Sequence, residues 1–576
     1  MQTVSLKDHG ILPNTDITLA LHKLFERYPR DTEFVFEEAD YYFSPHSEMF
    51  ADYRLSNSDP MPYRVLAVWM KNMKNCRLRG NNARLWLSGH MQVFTVDHCT
   101  DIAVEGFTVN WKKPLVAEGV VADCGDGYID VAIDGEKFPH RLVGDKLEFD
   151  VGNGEWYETV GRLIAFEPYS HTVRRGTGDF GVTRILDRGN GLWRMMLDRS
   201  VPVQTGDLLN IRHNKRIHAG VFSEKCERLT VENVTFHSCG GLGCLSQFCK
   251  DVTFRAVNFL PDTRAGRFVS CGRDDGMHIT CNRGTVTITE CNFHALMDDP
   301  INVHGCCVIS NEAVDERTLR CRYCHPQAGG FHYWAEEGDT IAFINRGAMN
   351  SVGTARAEAY IPEDYYTFLL RFDRPLPEEI LNAAKKGDAL ALDNLSNTAA
   401  FICTKNRFGS CRARGVLVST PKPVKITDNY FESSGSAVLV AGDSNYWFES
   451  GACHDVEISR NIFSSLCLTS EYQFCDGIIS ITPVVPEPRQ ELPYHSNIRI
   501  TGNIFDTADA PVLSAFSCEK LVFEGNRIFS TPSAECVLSH DRDIRLSYCR
   551  DAHVSNNEWI CRRPPEISAE NCKDIY

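Results

Sequence analysis

The stretch "LTVENVTF" at residues 229–236 belongs to a set of closely similar phrases that decide the fold of this chain. Each phrase is an alternating apolar strand that enters a turn, where Asn usually stands, and then reaches an aromatic residue. The other phrases are "VTFRAVNF" (252–259), "VTITECNF" (286–293), "VKITDNYF" (424–431), "VEISRNIF" (456–463), "IRITGNIF" (498–505) and "LVFEGNRIF" (521–529). Neighbouring phrases begin 23 to 42 residues apart, except across one long insertion. This spacing is typical of a parallel β-helix, whose coils consist of short strands and variable loops.

The repeats therefore predict an all-β protein. We expect a right-handed parallel β-helix, a pectin-lyase-like solenoid, with two inserted small β-barrel subdomains. The Asn of each turn is expected to adopt the left-handed backbone conformation, and the recurring Phe is expected to stack on the Phe of the next coil.

Two stretches lack the repeated phrase and show short strands with Gly-rich turns. They end in similar sequence segments, "LDRSVPVQTGDLLNI" and "FDRPLPEEILNAAKKGDALAL". We therefore interpret both as small β-barrels with the same architecture. The predicted units are an N-terminal cap with the first coils at 1–112, the first barrel at 113–212, middle coils at 213–306, the second barrel at 307–395 and C-terminal coils at 396–576.

Composition restricts the possible partners. The chain has 576 residues and a formal net charge of −16, which argues against nucleic acid and against an anionic membrane surface. No apolar leader begins the sequence, and no window approaches the roughly 18 apolar residues of a membrane span. We expect a soluble protein that is cytoplasmic, or secreted or periplasmic if a signal peptide has been removed. The 24 cysteines are expected to be mostly reduced core residues.

The strand that follows each phrase indicates a local polar patch. The second position of this strand is apolar and should face the core; in six coils it is Cys244, Met277, Ile301, Val416, Val438 and Ile478. Alternation then turns the third and fifth positions outward. On two adjacent coils these positions are polar, with His278 and Thr280 below Asn302 and His304.

Two pairs of adjacent carboxylates precede these same two strands, in "RDDGMHIT" and "MDDPINVHG". The register stacks Asp274 beneath Asp298 and Asp275 beneath Asp299, with about 4.8 Å between coils. Four converging carboxylates repel one another and should raise at least one pKa, as a general acid at neutral pH requires. A solvated acidic corner or a cation site is the alternative interpretation.

Further groups are expected around the acids. Arg414 stands in the corresponding place on the next recognisable coil and could offset part of the charge. The loop "GDSNYWFESG" offers Trp447 and Glu449, and sugars are commonly held by an aromatic plane together with carboxylates. A buried Trp beside a solvated Glu is the alternative. The second insertion begins directly after "PINVHG", so we expect it to wall the pocket.

These stretches, in a β-helix with two barrel-like insertions, resemble glycoside hydrolase family 110, the bacterial α-1,3-galactosidases active on blood-group-B-type termini. The resemblance extends from the helix at "NTDITLALHKLF" to "VSNNEW". It implies an exo-acting, inverting enzyme that needs no cofactor or metal, with a glycan carrying a terminal α-galactose as its partner. It also carries the essential aspartates of the family onto Asp275, Asp298 and Asp299, with Asp298 as the expected acid and the other two as the base.

The chemistry of the residues agrees with these roles. An inverting glycosidase needs one protonated carboxyl and one carboxylate that activates water. Asp298 points outward by strand parity, which suits the acid, and Asp275 and Asp299 on neighbouring coils could hold the water. The candidates for sugar contacts are Asp274, Arg273, His278, Asn302, His304, Arg414, Trp447 and Glu449.

Other functions stay open at this point. A polysaccharide lyase would bind Ca²⁺ with the clustered aspartates and give an unsaturated product. A polygalacturonase-like hydrolase would show a Gly-His-Gly and an Arg-Ile-Lys motif, and neither is present. A non-catalytic carbohydrate-binding solenoid would bind glycan without turnover. A homo-oligomer is compatible with the sequence.

Overall fold

The computed structural model describes residues 1–61, 63–152, 154–213, 215–331, 333–386, 389–530, 542–560 and 564–576. Its strands build a parallel β-helix into which two antiparallel units are inserted. The predicted fold class is therefore confirmed. Within the described ranges, none of the helices has the length and apolar character needed to cross a membrane.

The solenoid is built from two long sheets in which each coil pairs in parallel with the next, except that Phe50–Ala51 pairs antiparallel with Arg64–Lys71. The strands of the first sheet, which contains the repeated phrases, are Gln2–Ser5, Arg30–Val35, Asp40–Phe43, Lys74–Leu87, Thr100–Trp111, Glu227–Phe236, Lys250–Phe259, Arg283–Thr289, Asn292–Phe293, Ala400–Thr404, Arg407–Phe408, Val424–Thr427, Tyr430–Phe431, Val456–Ser459, Ile462–Phe463, His495–Thr501, Ile504–Thr507, Cys518–Glu524, Arg527–Ser530, Arg550–Ser555, Glu558–Ile560 and Lys573–Ile575. The strands of the second sheet are Phe50–Ala51, Arg64–Lys71, Gln92–Asp97, Val221–Glu224, Cys244–Gln247, Met277–Thr280, Ile301–Cys306, Val416–Ser419, Val438–Val440, Ile479–Ile481, Leu513–Phe516, Ile544–Ser547 and Ile567–Glu570, with Glu449–Ser450 added antiparallel.

The two insertions are antiparallel. The first is an eight-stranded sheet, in spatial order His140–Val143, Lys146–Asp150, Tyr157–Phe166, Leu208–His213, Val116–Gly125, Tyr128–Ala132, Leu192–Leu197 and Val182–Asp187. The second is a closed six-stranded barrel, in the order Val308–Ala313, Thr318–Arg322, Thr367–Phe372, Ser351–Pro362, Thr340–Asn345 and Leu390–Asn394. The α-helices are Thr18–Arg27 and Glu378–Ala384, and short 3₁₀ helices lie at Lys7–His9, Ser47–Met49 and Thr263–Ala265.

The recurring phenylalanines form one column inside the solenoid. The rings of Phe408 and Phe431 lie 4.4 Å apart with their planes 2° from parallel. Consecutive stacked pairs connect Phe236, Phe259, Phe293, Phe408, Phe431, Phe463 and Phe505. The predicted Phe stacking is confirmed, and each pair contributes about 0.5–1.5 kcal/mol beyond its buried area.

The turn asparagines behave differently from the prediction in the later coils. There the left-handed conformation falls on the residue before the Asn, for example Asp428 (φ 60°) and Arg460 (φ 56°). The Asn side chain points inward and is buried, because its amide can join the backbone of one coil to the next. A continuous ladder of such bonds connects Asn406, Asn429, Asn461, Asn503 and Asn526.

Removing one rung of this ladder should destabilise the solenoid. Asn461 Oδ1 accepts from the backbone N–H and the side-chain amide of Asn429, both at 3.0 Å, and its own amide donates to Ile426 and Asn503. Because these partners stay buried, we expect Asn461→Ala to lower the free energy of unfolding by about 3 kcal/mol, since each unsatisfied group costs about 1–3 kcal/mol. Thermal unfolding measures the effect. Lys425→Ala, on the exposed face of the same sheet, is the control, and equal melting temperatures for both variants would contradict the ladder's role.

One predicted alignment was wrong by a single residue. Val438 pairs with Ile479 rather than with Ile478, because Ile478 belongs to the corner that leads into the strand. The other predicted core positions pair as expected, from Cys244 through Met277 to Ile301 and onward. The register that matters for the acidic pairs is therefore unaffected.

Candidate active site

The doubled aspartates lie on adjacent coils in the predicted register. Met277 pairs with Ile301 immediately after the acids, and Gly272 bridges to Leu296 immediately before them. The paired residues differ by 24 positions both before and after the acids. Each acid of the lower coil therefore lies beneath the corresponding acid of the upper coil.

Arg216, in the segment that returns from the first insertion to the solenoid, connects three of the four acids. Its guanidinium lies 3.0 Å from Asp274, 3.5 Å from Asp275 and 3.7 Å from Asp298. This arginine was missed from the sequence, because nothing in "HNKRIH" marks it as a partner of residues about 60 positions later. It is the central counter-ion of the cluster.

Two further arginines come from the coil above. Arg412 approaches Asp298 at 3.2 Å. Arg414 binds Asp299 twice, through its backbone N–H at 2.9 Å and its guanidinium at 2.8 Å. The alternation in "CRARG" was a usable signal for both arginines, since residues two apart in an extended segment point the same way.

Asp274 is an internal counter-ion. It is fully buried among Arg273, Arg212 and Arg216. Burial alone would raise its pKa, but the charges of these arginines outweigh burial and hold the pKa well below its usual value. Asp274 is therefore ionised, and neither it nor Arg273 lines the pocket described below.

Asp275 and Asp299 have the opposite tendency. Burial, reinforced by the charge of Asp298, raises the pKa of Asp275 well above its usual range. Burial also dominates at Asp299, where Arg414 opposes it only in part, and the pKa rises to about 8. Both side chains are only 4% and 3% exposed. Both pKa values therefore shift in the direction that favours the protonated carboxyl.

Asp298 carries the negative charge. Burial would raise its pKa, but the nearby arginines, Arg412 and Arg216 foremost, hold the pKa below the usual value. Its side chain is 22% exposed, the largest exposure among the four acids. The carboxyl expected to act as acid is thus the most accessible one, but its arginine neighbours favour the ionised form. Two of them, Arg212 and Arg216, could not be identified from the sequence.

Three of the four acids, Asp275, Asp298 and Asp299, open into one pocket. The lining combines polar and charged residues with apolar ones. The polar and charged residues are Asn57, Arg216, Asp275, Asp298, Asp299, Asn302, Arg414, Asp443, Glu449 and Thr482. The remaining lining residues are Leu417, Leu439, Ala441, Gly442, Trp447, Phe474 and Val484.

The loop that presents Trp447 is fixed by one carboxylate that the sequence did not reveal. Asp443 accepts the backbone N–H groups of Tyr446, Trp447 and Phe448. His325, from the second insertion, packs on the Trp447 indole with 4.8 Å between ring centroids. The second insertion was expected to wall the pocket, and it does not. None of the described residues that line the pocket belongs to 307–395, because the insertion contacts this loop from outside the pocket.

The predicted outward patch is covered. His278 is fully buried and His304 is 7% exposed, since the strand Glu449–Ser450 pairs with Gly305 and Cys306 over it. Neither histidine lines the pocket. Among the described residues, His278, His304 and Glu449 are the group whose spacing suits a metal ion. The two imidazoles, however, are hydrogen-bonded to each other at 3.0 Å, so we assign a hydrogen bond to this contact.

Comparison with known proteins agrees with this architecture. Residues 117–219 match the family model "GLAA-B beta-barrel domain I", and residues 318–390 match "GLAA-B beta-barrel domain II". Alpha-1,3-galactosidase B of Bacteroides thetaiotaomicron is 35% identical, over 96% of this chain and 90% of that protein. Alpha-1,3-galactosidase B of Parabacteroides distasonis is 29% identical, over 93% of this chain and 89% of that protein.

Solved structures show distant similarity. The A-module of a mannuronan C-5 epimerase from Azotobacter vinelandii has 9% identity and a TM-score of 0.36, covering 99% of this chain and all of that one. A tailspike protein mutant of E. coli bacteriophage HK620 in complex with pentasaccharide has 11% identity and a TM-score of 0.40, covering 96% of this chain and 70% of that one.

A carboxylate-lined pocket on a parallel β-helix, with such relatives, defines a glycoside hydrolase of the β-helix class. The chain belongs to the α-1,3-galactosidase family, glycoside hydrolase family 110.

Proposed function

We propose that this protein is an exo-acting, inverting α-1,3-galactosidase that removes terminal α-1,3-linked galactose from glycans of the B-antigen type. The observation that carries the proposal is the convergence of Asp275, Asp298 and Asp299 from two adjacent coils on one pocket. Inverting glycosidases need a carboxyl acid and a carboxylate base at such a site. The names of the relatives supply the galactose and the linkage.

The lining of the pocket supports binding of a sugar. Its apolar residues, with Trp447, suit the C–H face of a sugar ring, and the side chains of Asn302, Arg414 and Glu449 can bond to hydroxyls. The exo-acting part of the proposal rests on the resemblance to the family.

The roles of the acids follow from accessibility and proton count. Asp298 is the most exposed and donates the proton to the leaving oxygen. Because it is ionised in the empty site, it must first receive a proton, and the neighbouring Asp299 holds one. That transfer leaves Asp299 ionised and able to activate the attacking water, and Asp275 shares this role once its own proton has left. The pKa directions of the empty site favour a second assignment, in which Asp299 is the acid and Asp298 the base.

Trp447 should contribute to substrate binding. Its indole is held by His325 and by the turn at Asp443, so it is preorganised to stack on a sugar. We expect Trp447→Ala to raise KM for an α-1,3-galactosyl oligosaccharide by about tenfold, which corresponds to about 1.4 kcal/mol, with a smaller change in kcat. Initial-rate kinetics measure both values. Tyr169→Ala, at a 95% exposed aromatic side chain, is the control, and an unchanged KM for Trp447→Ala would remove the indole from the binding site.

The proposed function is tested with a B-type trisaccharide and a linear α-1,3-galactosyl disaccharide, each assayed with and without chelator. Release of free galactose that is insensitive to chelator supports the proposal. A chelator-sensitive product that absorbs in the ultraviolet would indicate a lyase. Binding of the trisaccharide without any released sugar would indicate a carbohydrate-binding solenoid.

A further inference from the structure

A chain of hydrogen bonds leads from one pocket acid into the protein. Asp275 Oδ2 lies 2.8 Å from Nδ1 of His278. Nε2 of His278 lies 3.0 Å from Nε2 of His304, and Nδ1 of His304 lies 2.7 Å from the carbonyl oxygen of Gly305. The side chains of Asp275, His278 and His304 are all buried, so their bonding is set mainly by one another.

The acceptor at the far end of this chain of hydrogen bonds determines which ring nitrogens carry hydrogen. The carbonyl of Gly305 can only accept, so Nδ1 of His304 carries a hydrogen. When His304 is neutral, its Nε2 is then an acceptor, and His278 must donate from Nε2. A neutral His278 that donates from Nε2 has a bare Nδ1, so the hydrogen of the last bond must belong to Asp275.

We propose that His278 and His304 are positioning residues that hold a proton on Asp275 in the empty site and take that proton when Asp275 acts as a base. This inference rests on the proposed function, because it assigns the two imidazoles a part in the same hydrolysis. Neither histidine touches the sugar, since neither lines the pocket.

The step balances as a simple proton transfer. The O–H bond of Asp275 breaks and an N–H bond forms at Nδ1 of His278, which becomes an imidazolium, while Asp275 becomes a carboxylate. Water then attacks the anomeric carbon, forming the new C–O bond, and its proton goes to Asp275. The leaving oxygen takes the proton of Asp298. The extra proton of His278 restores the proton that Asp299 gave to Asp298 before the reaction, so Asp275 and Asp299 are again protonated and Asp298 is ionised.

The surrounding charges allow an imidazolium in this buried place. Glu449 lies 3.6 Å from Nε2 of His304 and is the carboxylate that would balance the charge. At His278, burial, the charge of His304 and Arg216 oppose the imidazolium, whereas Glu449 and Asp298 favour it. In the empty site burial dominates and lowers the pKa of His278 to about 3, while the pKa of Asp275 is raised. Both directions agree with a proton that resides on Asp275 at rest.

The kinetic test uses His304→Gln. The amide of the new side chain can donate to Nε2 of His278, which then carries its hydrogen on Nδ1 and favours the carboxylate form of Asp275. We therefore expect the acidic limb of kcat/KM against pH to move to lower pH by about one unit, a tenfold change in proton affinity, with a lower plateau and an unchanged KM. His278→Asn, which places a donor beside Asp275, should move the limb in the same direction. His454→Gln, at an exposed histidine on a later coil, should leave the profile unchanged.

Two outcomes would overturn the inference. Loss of activity in His304→Gln and His278→Asn with an unmoved limb would mean that the imidazoles only support the fold. Stoichiometric zinc in the purified protein would mean that the facing nitrogens bind a cation.

Nitrogen NMR of histidine-labelled protein tests the tautomers without any substrate. At pH 7 it should show hydrogen on Nε2 of His278 and on Nδ1 of His304. Hydrogen on Nδ1 of His278 would contradict the inference, and absent hydrolysis with these tautomers would count against the proposed function alone.

Discussion

Replacing Asp298 by asparagine should lower kcat/KM for an α-1,3-galactosyl disaccharide by about 10²- to 10⁴-fold, the range that general acid catalysis supplies. The amide keeps the shape of the carboxyl and one acceptor oxygen, which can face Arg412 or Arg216 but not both, since these contact different oxygens of Asp298. It cannot deliver a proton to the leaving oxygen. Steady-state kinetics on the purified variant measure the loss. Asp8→Asn, at an exposed carboxylate far along the sequence, is the matched control, and near wild-type activity in the Asp298 variant would remove this residue from the chemistry.

A comparison of substrates with different leaving groups shows which catalytic role a variant has lost. α-Galactosyl fluoride needs no protonation to depart, so a variant that lacks only the acid should recover most of its rate on this substrate. We expect this recovery for Asp298→Asn. If Asp299→Asn recovers instead, while Asp298→Asn is equally slow on both substrates, then Asp299 is the acid and Asp298 the base, as the charges of the empty site suggest.

Asp275→Asn and Asp299→Asn should each remove most of the rate, and the double variant should be only slightly slower than either single variant. The reason is that two carboxylates holding one water act as a unit, and losses within a unit are strongly non-additive. Both have raised pKa values and both respond to the charge of Asp298, so their titrations are coupled. A double-mutant cycle in kcat/KM measures the coupling.

Additive free energies in this cycle would show that the two aspartates have independent roles. A near-silent single variant would leave the other aspartate as the base. Asp274→Asn is the useful comparison, because Asp274 lies next to Asp275 but is enclosed by arginines. Its loss should appear mainly as reduced stability, since it leaves buried arginines without a counter-ion.

Much of the fold could be predicted from local sequence. The alternation of apolar residues predicts each strand, and the recurring Phe predicts the stacked column. Both features depend on residues that are only a few positions apart in the sequence. The stacking of Asp275 beneath Asp299 followed from the same register. The expectation for the turn asparagines holds at Asn233 (φ 58°) but not in the later coils. There the left-handed turn and the amide ladder occupy neighbouring positions, and the deciding partner is the Asn of another coil.

The charge pattern of the site could not be predicted in the same way. Arg216 reaches the acids from the end of an insertion, and its contacts depend on how that unit docks on the solenoid. Likewise, His278 was expected to face outward, and it does, but a strand some 170 residues later covers it. Burial and distant counter-ions, which set the pKa of each aspartate, are therefore properties of the assembled fold.

The stereochemistry of the first product tests the central claim most directly. In an inverting hydrolysis water attacks the face opposite the leaving group, so an α-galactoside gives β-galactose. Proton NMR of a B-type trisaccharide mixed with the wild-type protein, recorded before mutarotation, should show the β-anomer signal first and the α-anomer only later. Initial appearance of α-galactose would contradict the account, because it would require a covalent intermediate rather than a water held by Asp275 and Asp299.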